Sequence, residues 1–208
     1  MTRNFVELAR SVRAAIPQHH RYAHSLRVAR LAASLARAHG NDARRARLAG
    51  MLHDLARLQS ADALLRECER RGLPIDPFER RHPIVLHARL GAELARERYG
   101  IEDGEVLNAI RRHTLAGPQM SRLDEILYLA DGLEPGRTFA PRRAILHSAY
   151  RDVHQGMLSL LGATIEYQRQ RGLEVAPQTL AALRWYAAPG VGDAAGKEGR
   201  MEDRFCRT

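Results

Sequence analysis

The fold class is decided by residues 20–56, which read HRYAHSLRVARLAASLARAHGNDARRARLAGMLHDLA. The first half of this stretch repeats apolar or imidazole side chains every three or four residues, the spacing of one helix face. These positions are His24, Val28, Leu31 and Leu35. Gly40 ends this helix, and Asn41-Asp42 caps the next one. Residues 43–56 carry small side chains on a similar stripe, which predicts two closely packed helices.

The same pattern of helical periodicity and capping residues continues along most of the chain. No segment alternates polar and apolar residues as a strand does, and no internal repeat is visible. A Ser121/Asp124 capping box and Pro83 at a first turn mark two of the helix starts. The further predicted helices span residues 61–71, 83–99, 102–113, 122–133, 141–154, 156–171 and 177–186.

We therefore predict an all-α helical bundle that forms a single domain over residues 1–187. Residues 188–208 are rich in Gly, Ala and charged residues and have almost no apolar periodicity. A segment of this composition has too little apolar surface to pack against a core. We expect it to be a flexible C-terminal tail.

The composition narrows the class of protein. The chain has 208 residues, of which 45% are hydrophobic and 27% charged, which suits a folded domain and excludes wholesale disorder. No apolar run is long enough for a membrane span, and the N-terminal residues lack the apolar stretch of a secretory signal. The two cysteines, Cys68 and Cys206, do not frame a disulfide-rich fold. We expect a cytoplasmic protein that does not associate with membranes.

The basic residues leave two interpretations open. The formal net charge is +9, and Lys197 is the single lysine among 33 basic residues. A solvated, arginine-rich surface explains this balance. A phosphate-rich partner, either nucleic acid or a polyphosphate nucleotide, explains it equally well.

Five elements place a histidine or an aspartate on a face that is otherwise apolar. They are His24, the His53-Asp54 pair, His87, His113 and Asp131. Each alone is also explained as a buried side chain with a hydrogen-bond partner. An isolated buried carboxylate is costly unless it is paired or binds a metal, so the set as a whole favours a metal site. Imidazole and carboxylate ligands suit Fe, Mn, Zn or Ni, and the absence of cysteine excludes a structural cysteine–zinc site.

Five segments that contain these residues carry a family resemblance. They are HRYAHSLRVARLAASLA (20–36), AGMLHDLAR (49–57), VLHARLGAELA (85–95), AIRRHT (109–114) and MSRLDEILYLADGLEPGRTF (120–139). Together they resemble the HD superfamily of metal-dependent phosphohydrolases. The closer similarity is to its YqeK branch, the symmetrical bis(5′-nucleosyl)-tetraphosphatases. The resemblance covers roughly residues 17–187.

This resemblance implies an all-helical fold and hydrolysis of diadenosine tetraphosphate (Ap4A) to two ADP. It also implies two divalent transition-metal ions, with iron first and manganese, nickel or zinc as alternatives. Such ions activate a water molecule to attack phosphorus. The implied metal ligands are His24, His53, Asp54, His87, His113 and Asp131.

The resemblance and the spacing also suggest further roles. Asp54 is the expected bridge between the two metals, and we assign catalytic roles to Asp54 and Arg57. Arg57 and Arg137 are expected to contact the polyphosphate. His20, one helical turn before His24, is expected to line the same cleft. Thr114 has two open interpretations, a hydrogen bond to phosphate or a cap on its helix.

Two departures from the family pattern lie close to these residues. Arg57 stands where the family usually has lysine, which keeps the charge but changes the donor geometry. The segment His113-Thr114-Leu115-Ala116-Gly117 is one residue longer than the family's His-Thr-Thr-Gly. Neither departure replaces a predicted ligand.

Two alternative functions stay open from the sequence. One is an HD phosphohydrolase that acts on another nucleotide. The other is a basic helical protein that binds nucleic acid and keeps these residues for structure. The chain lacks an obvious recognition helix, and only 5% of its residues are aromatic, so we do not expect nucleic acid to be a partner. We expect a dinucleoside polyphosphate substrate, and a homodimer remains open.

Overall fold

A computed structural model describes residues 4–189, and this part of the chain is helical without any strand. The helices are α1 Phe5–Ala15, α2 His19–Ala38, α3 Ala43–Leu52, α4 Ala61–Arg70, α5 Pro77–Arg81, α6 Leu86–Tyr99, α7 Gly104–Arg112, α8 Arg122–Leu133, α9 Arg142–Arg151, α10 Val153–Gln170 and α11 Pro177–Tyr186. Pro83–Val85 forms one 3₁₀ turn before α6. The predicted all-α class is confirmed.

The close packing predicted for α2 and α3 is present. A Cβ atom built on Gly50 would lie 2.7 Å from the Cα atom of Ala29, a distance that real side chains do not tolerate. The absence of a side chain at Gly50 therefore lets the two helix backbones approach. This approach brings the His24 segment of α2 beside the last turn of α3.

Side-chain caps fix where α7 and α8 begin. Ser121 and Asp124 form the predicted capping box of α8. Asp103 accepts hydrogen bonds from the first amides of α7, and Gly100 ends α6 in the left-handed conformation. These boundaries place His113 directly after α7 and Asp131 in the last turns of α8.

The structure corrects the prediction of one continuous helix over residues 43–56. Helix α3 ends at Leu52, so the His53-Asp54 pair lies in the turns that follow and not on a helix. The physical reason is a change of hydrogen bonding: Leu55 N–H donates to the Leu52 carbonyl, and Arg57 N–H donates to the Asp54 carbonyl at 3.0 Å. These three-residue bonds replace the four-residue ladder.

Other boundaries also differ from the sequence prediction, and two helices are additional. The predicted helix 83–99 begins with the 3₁₀ turn, so its α-helical part starts only at Leu86. The break between α9 and α10 falls at Asp152, whose carboxylate accepts from the amides of His154 and Gln155 and so caps α10. Helices α1 and α5 were not predicted.

Two hydrophobic cores hold the helices together. The larger core joins α1, α2, α3, α6, α7, α8, α9, α10 and α11. The smaller core joins α4 to α6 and contains Ala56, Leu64, Cys68, Leu86, Leu90 and Leu94. No helix among the described residues combines the length and apolarity needed to cross a membrane. Of the tail predicted over residues 188–208, all but the first two residues lie outside the described residues.

Candidate metal centre

Six predicted side chains converge between helices α2, α3, α6, α7 and α8, and we call them the six-residue group. They are His24, His53, Asp54, His87, His113 and Asp131. Five of them belong to residues whose exposed fraction is between 0% and 7%. The side chain of Asp131 is 20% exposed. Residues that are far apart in the chain therefore share one enclosed region.

Three members form what we call the Asp131 cluster: His24, His53 and Asp131. Their potential ligand atoms all lie within 4.8 Å of one another. The His24 Nε2 atom is 3.0 Å from Asp131 Oδ1 and 3.2 Å from His53 Nε2. This spacing lets one small cation contact all three side chains.

The second grouping, called the His113 cluster, consists of His53, Asp54 and His113 together with His87. The ligand atoms of the first three lie within 4.8 Å of one another. His87 Nε2 lies 3.2 Å from His113 Nε2 and 3.3 Å from Asp54 Oδ1. The two clusters share His53 and are therefore adjacent.

Asp54 belongs to the His113 cluster and also faces the Asp131 cluster, with a different oxygen towards each side. Its Oδ2 atom is 3.8 Å from His24 Nε2 and 3.7 Å from His53 Nε2. Its Oδ1 atom is the one near His87. One carboxylate can therefore contact two neighbouring cations, one through each oxygen.

Local backbone contacts orient three of the imidazoles in the same way. The Nδ1 atom of His53 donates to the Gly50 carbonyl at 2.8 Å, and that of His113 donates to the Ile110 carbonyl at 2.7 Å. His87 makes the corresponding bond to Ile84. A carbonyl oxygen only accepts, so each neutral ring carries its proton on Nδ1 and presents an Nε2 lone pair to the group. The carbonyl three residues earlier in the chain thus fixes the tautomer of each ring.

The donor set suits divalent transition metals. Two lone-pair nitrogens 3.2 Å apart, as in the His87–His113 pair, repel unless a cation or proton lies between them. Nitrogens that bind one ion at about 2.1 Å lie about 3.0–3.4 Å apart in octahedral or tetrahedral geometry. Imidazole and carboxylate together are the ligands that Fe, Mn, Ni and Zn accept. The residues present therefore fit the metal site that the sequence predicts.

Both carboxylates of the group are held in the anionic form. Burial acts to raise the pKa of Asp54, but its electrostatic interactions with the neighbouring His53 and His87 hold it well below its usual value. Burial likewise opposes ionisation of Asp131, and its contact with His24 outweighs this and lowers its pKa. Anionic carboxylates are the form that binds cations.

Two imidazoles of the group shift in opposite directions. Burial lowers the pKa of His113 to about 3, so this ring is neutral at pH 7 and free to bind a metal. Burial also acts to lower the pKa of His24, but its hydrogen bonds with Asp131 and Glu134 raise it overall. Protons and cations therefore compete more strongly at His24 than at His113.

Three arginines lie beside the six-residue group. Arg137 Nη2 is 2.7 Å from Asp131 Oδ1, and Arg21 Nη1 is 3.7 Å from Asp54 Oδ2. The third arginine, Arg57, is half-buried. Among residues 4–189, no carboxylate forms an ion pair with its guanidinium. Burial, followed by the charge of Arg21, lowers the pKa of Arg57. Guanidinium groups in such proximity favour an anion between them.

Of the remaining predicted site residues, Thr114 reaches the six-residue group and His20 does not. Thr114 Oγ1 lies 3.2 Å from His113 Nε2 and 3.4 Å from His87 Nε2, so it reaches the edge of the His113 cluster. His20 is exposed on α2, one turn before His24, and no described hydrogen bond joins it to the group. The structure thus leaves His20 at the outer end of this helix face.

The other histidines lie apart from the group. His39 contacts the Ala149 carbonyl, and His82 pairs with Glu174. His82 lies between α5 and the 3₁₀ turn, and its side chain makes no capping hydrogen bond.

Sequence reasoning missed two residues of this region, Arg21 and Glu134. The Glu134 carboxylate is buried beside His24 and accepts hydrogen bonds from Arg27. One signal was available, because a glutamate at the C-terminal end of a helix is unfavourable next to the negative end of the helix dipole. Such a residue needs a cationic or donor partner. Arg21 gave no comparable signal among the many arginines.

Comparison with known proteins identifies the family. The HD domain family matches residues 21–136, which include the whole six-residue group. The chain is 36% identical over 162 residues to a Halalkalibacterium halodurans protein named symmetrical bis(5′-nucleosyl)-tetraphosphatase, covering 78% of this chain and 86% of that protein. The chain belongs to the HD family, in its symmetrical bis(5′-nucleosyl)-tetraphosphatase group.

Two further similarities agree with this membership. The HD protein is 30% identical over 166 residues to the Bacillus subtilis protein of the same name, covering 80% of this chain and 89% of that protein. A crystal structure from Clostridium acetobutylicum, described as a predicted HD superfamily hydrolase involved in NAD metabolism, matches with a TM-score of 0.84. That pair is 30% identical, covering 89% of this chain and 98% of the other. The predicted family and fold are confirmed, and the nucleic-acid alternative is not favoured.

Proposed function

We propose that this HD protein hydrolyses Ap4A symmetrically to two ADP. The observation that carries the proposal is the convergence of the six ligand-type side chains, in a chain whose relatives are named for this activity. The fold alone supports only a helical domain, whereas this donor set supports phosphoryl chemistry at a metal centre.

The cofactors in this proposal are two divalent transition-metal ions, iron first, with manganese, nickel or zinc as alternatives. The Asp131 cluster would hold one ion and the His113 cluster the other, with Asp54 contacting both. When bound, the ions supply Lewis-acid activation of water and neutralise charge on the phosphoryl oxygens. The support is the donor chemistry and the position of Asp54, whose two oxygens face different imidazoles.

The chain's own residues orient the donors and bind the substrate. The carbonyls that accept from His53, His87 and His113 hold their rings in place, so little reorganisation accompanies the reaction. Arg57, with Arg137 and Arg21, would bind phosphate oxygens and stabilise the negative charge that develops on the leaving ADP. The Thr114 hydroxyl would donate to a phosphate oxygen, and His20 would contact the substrate further out.

We also propose a cytoplasmic location and a free dinucleoside polyphosphate, not nucleic acid, as the partner. Cys68 is a buried free thiol, which suits a reducing compartment. A homodimer remains compatible with this proposal, and light scattering of the purified chain measures its mass.

Product analysis tests the proposed activity. The full chain is purified anaerobically, loaded with Fe²⁺ and incubated with Ap4A, and the nucleotides are separated by ion-exchange chromatography. Symmetrical cleavage gives ADP as the single product. Release of ATP and AMP, or turnover only of a nucleoside monophosphate or a cyclic dinucleotide, would contradict the proposal.

A matched pair of variants links the activity to the six-residue group. Asp54→Asn removes the charge shared by both clusters, so we expect Ap4A hydrolysis to fall at least about 1,000-fold, a drop comparable with the loss of a major electrostatic contribution. His147→Gln changes an exposed histidine in α9 and should leave the rate unchanged. Equal rates in the two variants would place the reaction elsewhere.

A further inference from the structure

Glu134 follows the last residue of α8, and its buried carboxylate contacts three neighbouring groups. The residue is 2% exposed, and its carboxylate accepts hydrogen bonds from the Arg27 guanidinium and the Gly136 amide. Its Oε1 atom lies 3.1 Å from His24 Nδ1. A Cβ atom on Gly136 would lie 2.8 Å from the same oxygen, so the turn after α8 fits closely around this carboxylate.

His24 differs from the other three imidazoles of the six-residue group in its Nδ1 partner. His53, His87 and His113 each donate to a neutral carbonyl three residues earlier. His24 instead faces a carboxylate 110 residues later in the chain. An ionised acceptor binds an N–H group more strongly than a neutral one and increases the electron density on the far ring nitrogen.

We propose that Glu134 is a positioning residue that sets the cation affinity of the Asp131 cluster through His24. The carboxylate keeps the His24 proton on Nδ1 and fixes the ring plane. It also makes the Nε2 lone pair of His24 a stronger ligand for a cation than the Nε2 lone pairs of the other imidazoles. The two clusters thereby differ in affinity, and the Asp131 cluster binds its cation more tightly. This inference rests on the proposed function in one respect, namely that the six-residue group binds metal.

The contacts of Glu134 argue against a purely structural role. An ion pair with Arg27 alone would suffice to join α8 to α2, since Arg27 and His24 lie on the same helix. Glu134 also contacts the ring of His24, whose opposite nitrogen faces Asp131 at 3.0 Å. The carboxylate is therefore in line with the ligand atom that the Asp131 cluster uses.

Titration with Mn²⁺ tests the inference without relying on turnover. The unbound Mn²⁺ signal is followed by electron paramagnetic resonance in wild type, Glu134→Gln, Arg27→Met and Glu79→Gln. Glu134→Gln should weaken one class of site by about 10- to 100-fold and leave the other unchanged. Glu79, a buried glutamate bonded to Arg89, is the matched control and should show wild-type binding at both sites.

The Arg27 variant separates positioning from a structural link. Arg27→Met removes the ion pair between the helices but keeps the carboxylate near His24, so it should lose much less affinity than Glu134→Gln. An equal loss in both variants would overturn the inference. Wild-type Mn²⁺ binding in Glu134→Gln, to within twofold, would overturn it as well.

A measurement on the wild-type chain covers the case in which Glu134→Gln does not fold. Long-range ¹H–¹⁵N spectra of the Zn²⁺-loaded chain report which nitrogen of each histidine carries its proton. We expect the His24 proton on Nδ1, with the most deshielded proton resonance of the four rings. A proton on Nε2, or a resonance like those of the carbonyl-bonded rings, would contradict the inference. Failure of the proposed function looks different, because the wild type would then bind no metal and hydrolyse no Ap4A.

Discussion

Arg57 is the arginine beside the six-residue group that has no carboxylate partner among residues 4–189. We expect Arg57→Met to raise KM for Ap4A by about 10- to 100-fold, because hydrogen bonds to charged groups contribute about 1.5–3 kcal/mol. Steady-state kinetics measure the change. Arg57→Lys should recover part of the loss, because it restores the charge without the planar guanidinium. The control, Arg66→Met, removes an exposed arginine of α4 and should leave KM unchanged. An unchanged KM in Arg57→Met would show that Arg57 does not bind the substrate.

We expect the buried Glu134 carboxylate to make the free energy of unfolding of the metal-free chain depend on pH. Burial opposes its ionisation, but the hydrogen bond from Arg27 outweighs this and lowers its pKa from 4.5 to about 2. A depressed carboxyl pKa stabilises the fold fully above the unfolded value, and this stabilisation is lost as the pH falls from about 4.5 towards 2.

Urea unfolding at pH 6 and pH 4 tests this dependence. Between these values the wild type should lose about 1 kcal/mol more than Glu134→Gln, which has no carboxyl group to titrate at this position. Identical losses in the two proteins would show that Glu134 is not held as a carboxylate in the folded state.

The sequence predicted the six-residue group because polar side chains on apolar helix faces stand out from their neighbours. Their roles as metal ligands and the roles of Arg57, Arg137, Thr114 and His20 stay predictions, although all but His20 lie at or beside the group. The partners of Glu134 and Arg21 could not be assigned from sequence. Their contacts depend on how α2 packs against α8 and the turn after α3, which local spacing does not encode.

At the scale of helices, Gly50 controls the distance between α2 and α3. Gly50→Ala would place a Cβ atom 2.7 Å from the Ala29 Cα atom and push apart the segments that carry His24 and His53. We expect a loss of about 1–3 kcal/mol in the free energy of unfolding, as for other overpacked sites, together with weaker metal binding.

Gly162→Ala is the matched control for this substitution. Gly162 lies within α10, and a Cβ atom there would meet nothing within 4 Å. Since alanine is the better helix former, this variant should gain about 0.5–1 kcal/mol and keep its metal affinity. Thermal or urea unfolding measures both variants. A Gly50→Ala protein as stable as Gly162→Ala would disprove the close approach of α2 and α3.

Helix boundaries were predictable where a capping side chain acts locally, as Ser121 does for α8 and Asp42 for α3. The end of α3 was predicted wrongly, because the periodic pattern of residues 43–56 continues past Leu52. The helix ends there because backbone hydrogen bonds spanning three residues replace the helical ones, and because His53 Nδ1 donates to the Gly50 carbonyl. The pattern of apolar residues reveals neither contact.

At the scale of the whole molecule, the net charge of +9 predicts attraction of an anionic substrate. We expect kcat/KM for Ap4A to fall as KCl rises from 0.02 to 0.5 M, since salt screens exposed charges beyond about 10 Å at 0.1 M. Circular dichroism at each concentration verifies that the fold is intact. A value of kcat/KM independent of salt would mean that the basic surface plays no part in substrate capture.

The fold class was predictable, because helical periodicity extends along most of the chain and no segment has a strand pattern. The meaning of the basic charge was not predictable from composition, because a solvated surface and an anion-binding surface have the same net charge. Metal identity and number depend on ion availability as well as on the ligands, so sequence and fold alone do not determine them.

Elemental analysis of anaerobically purified protein tests the central claim most directly. The account predicts two transition-metal ions per chain in the wild type and His147→Gln, and fewer than one in Asp54→Asn, which lacks the carboxylate between the clusters. A wild-type chain that holds no transition metal and still converts Ap4A to ADP would contradict the account, as would an Asp54→Asn chain that retains both ions.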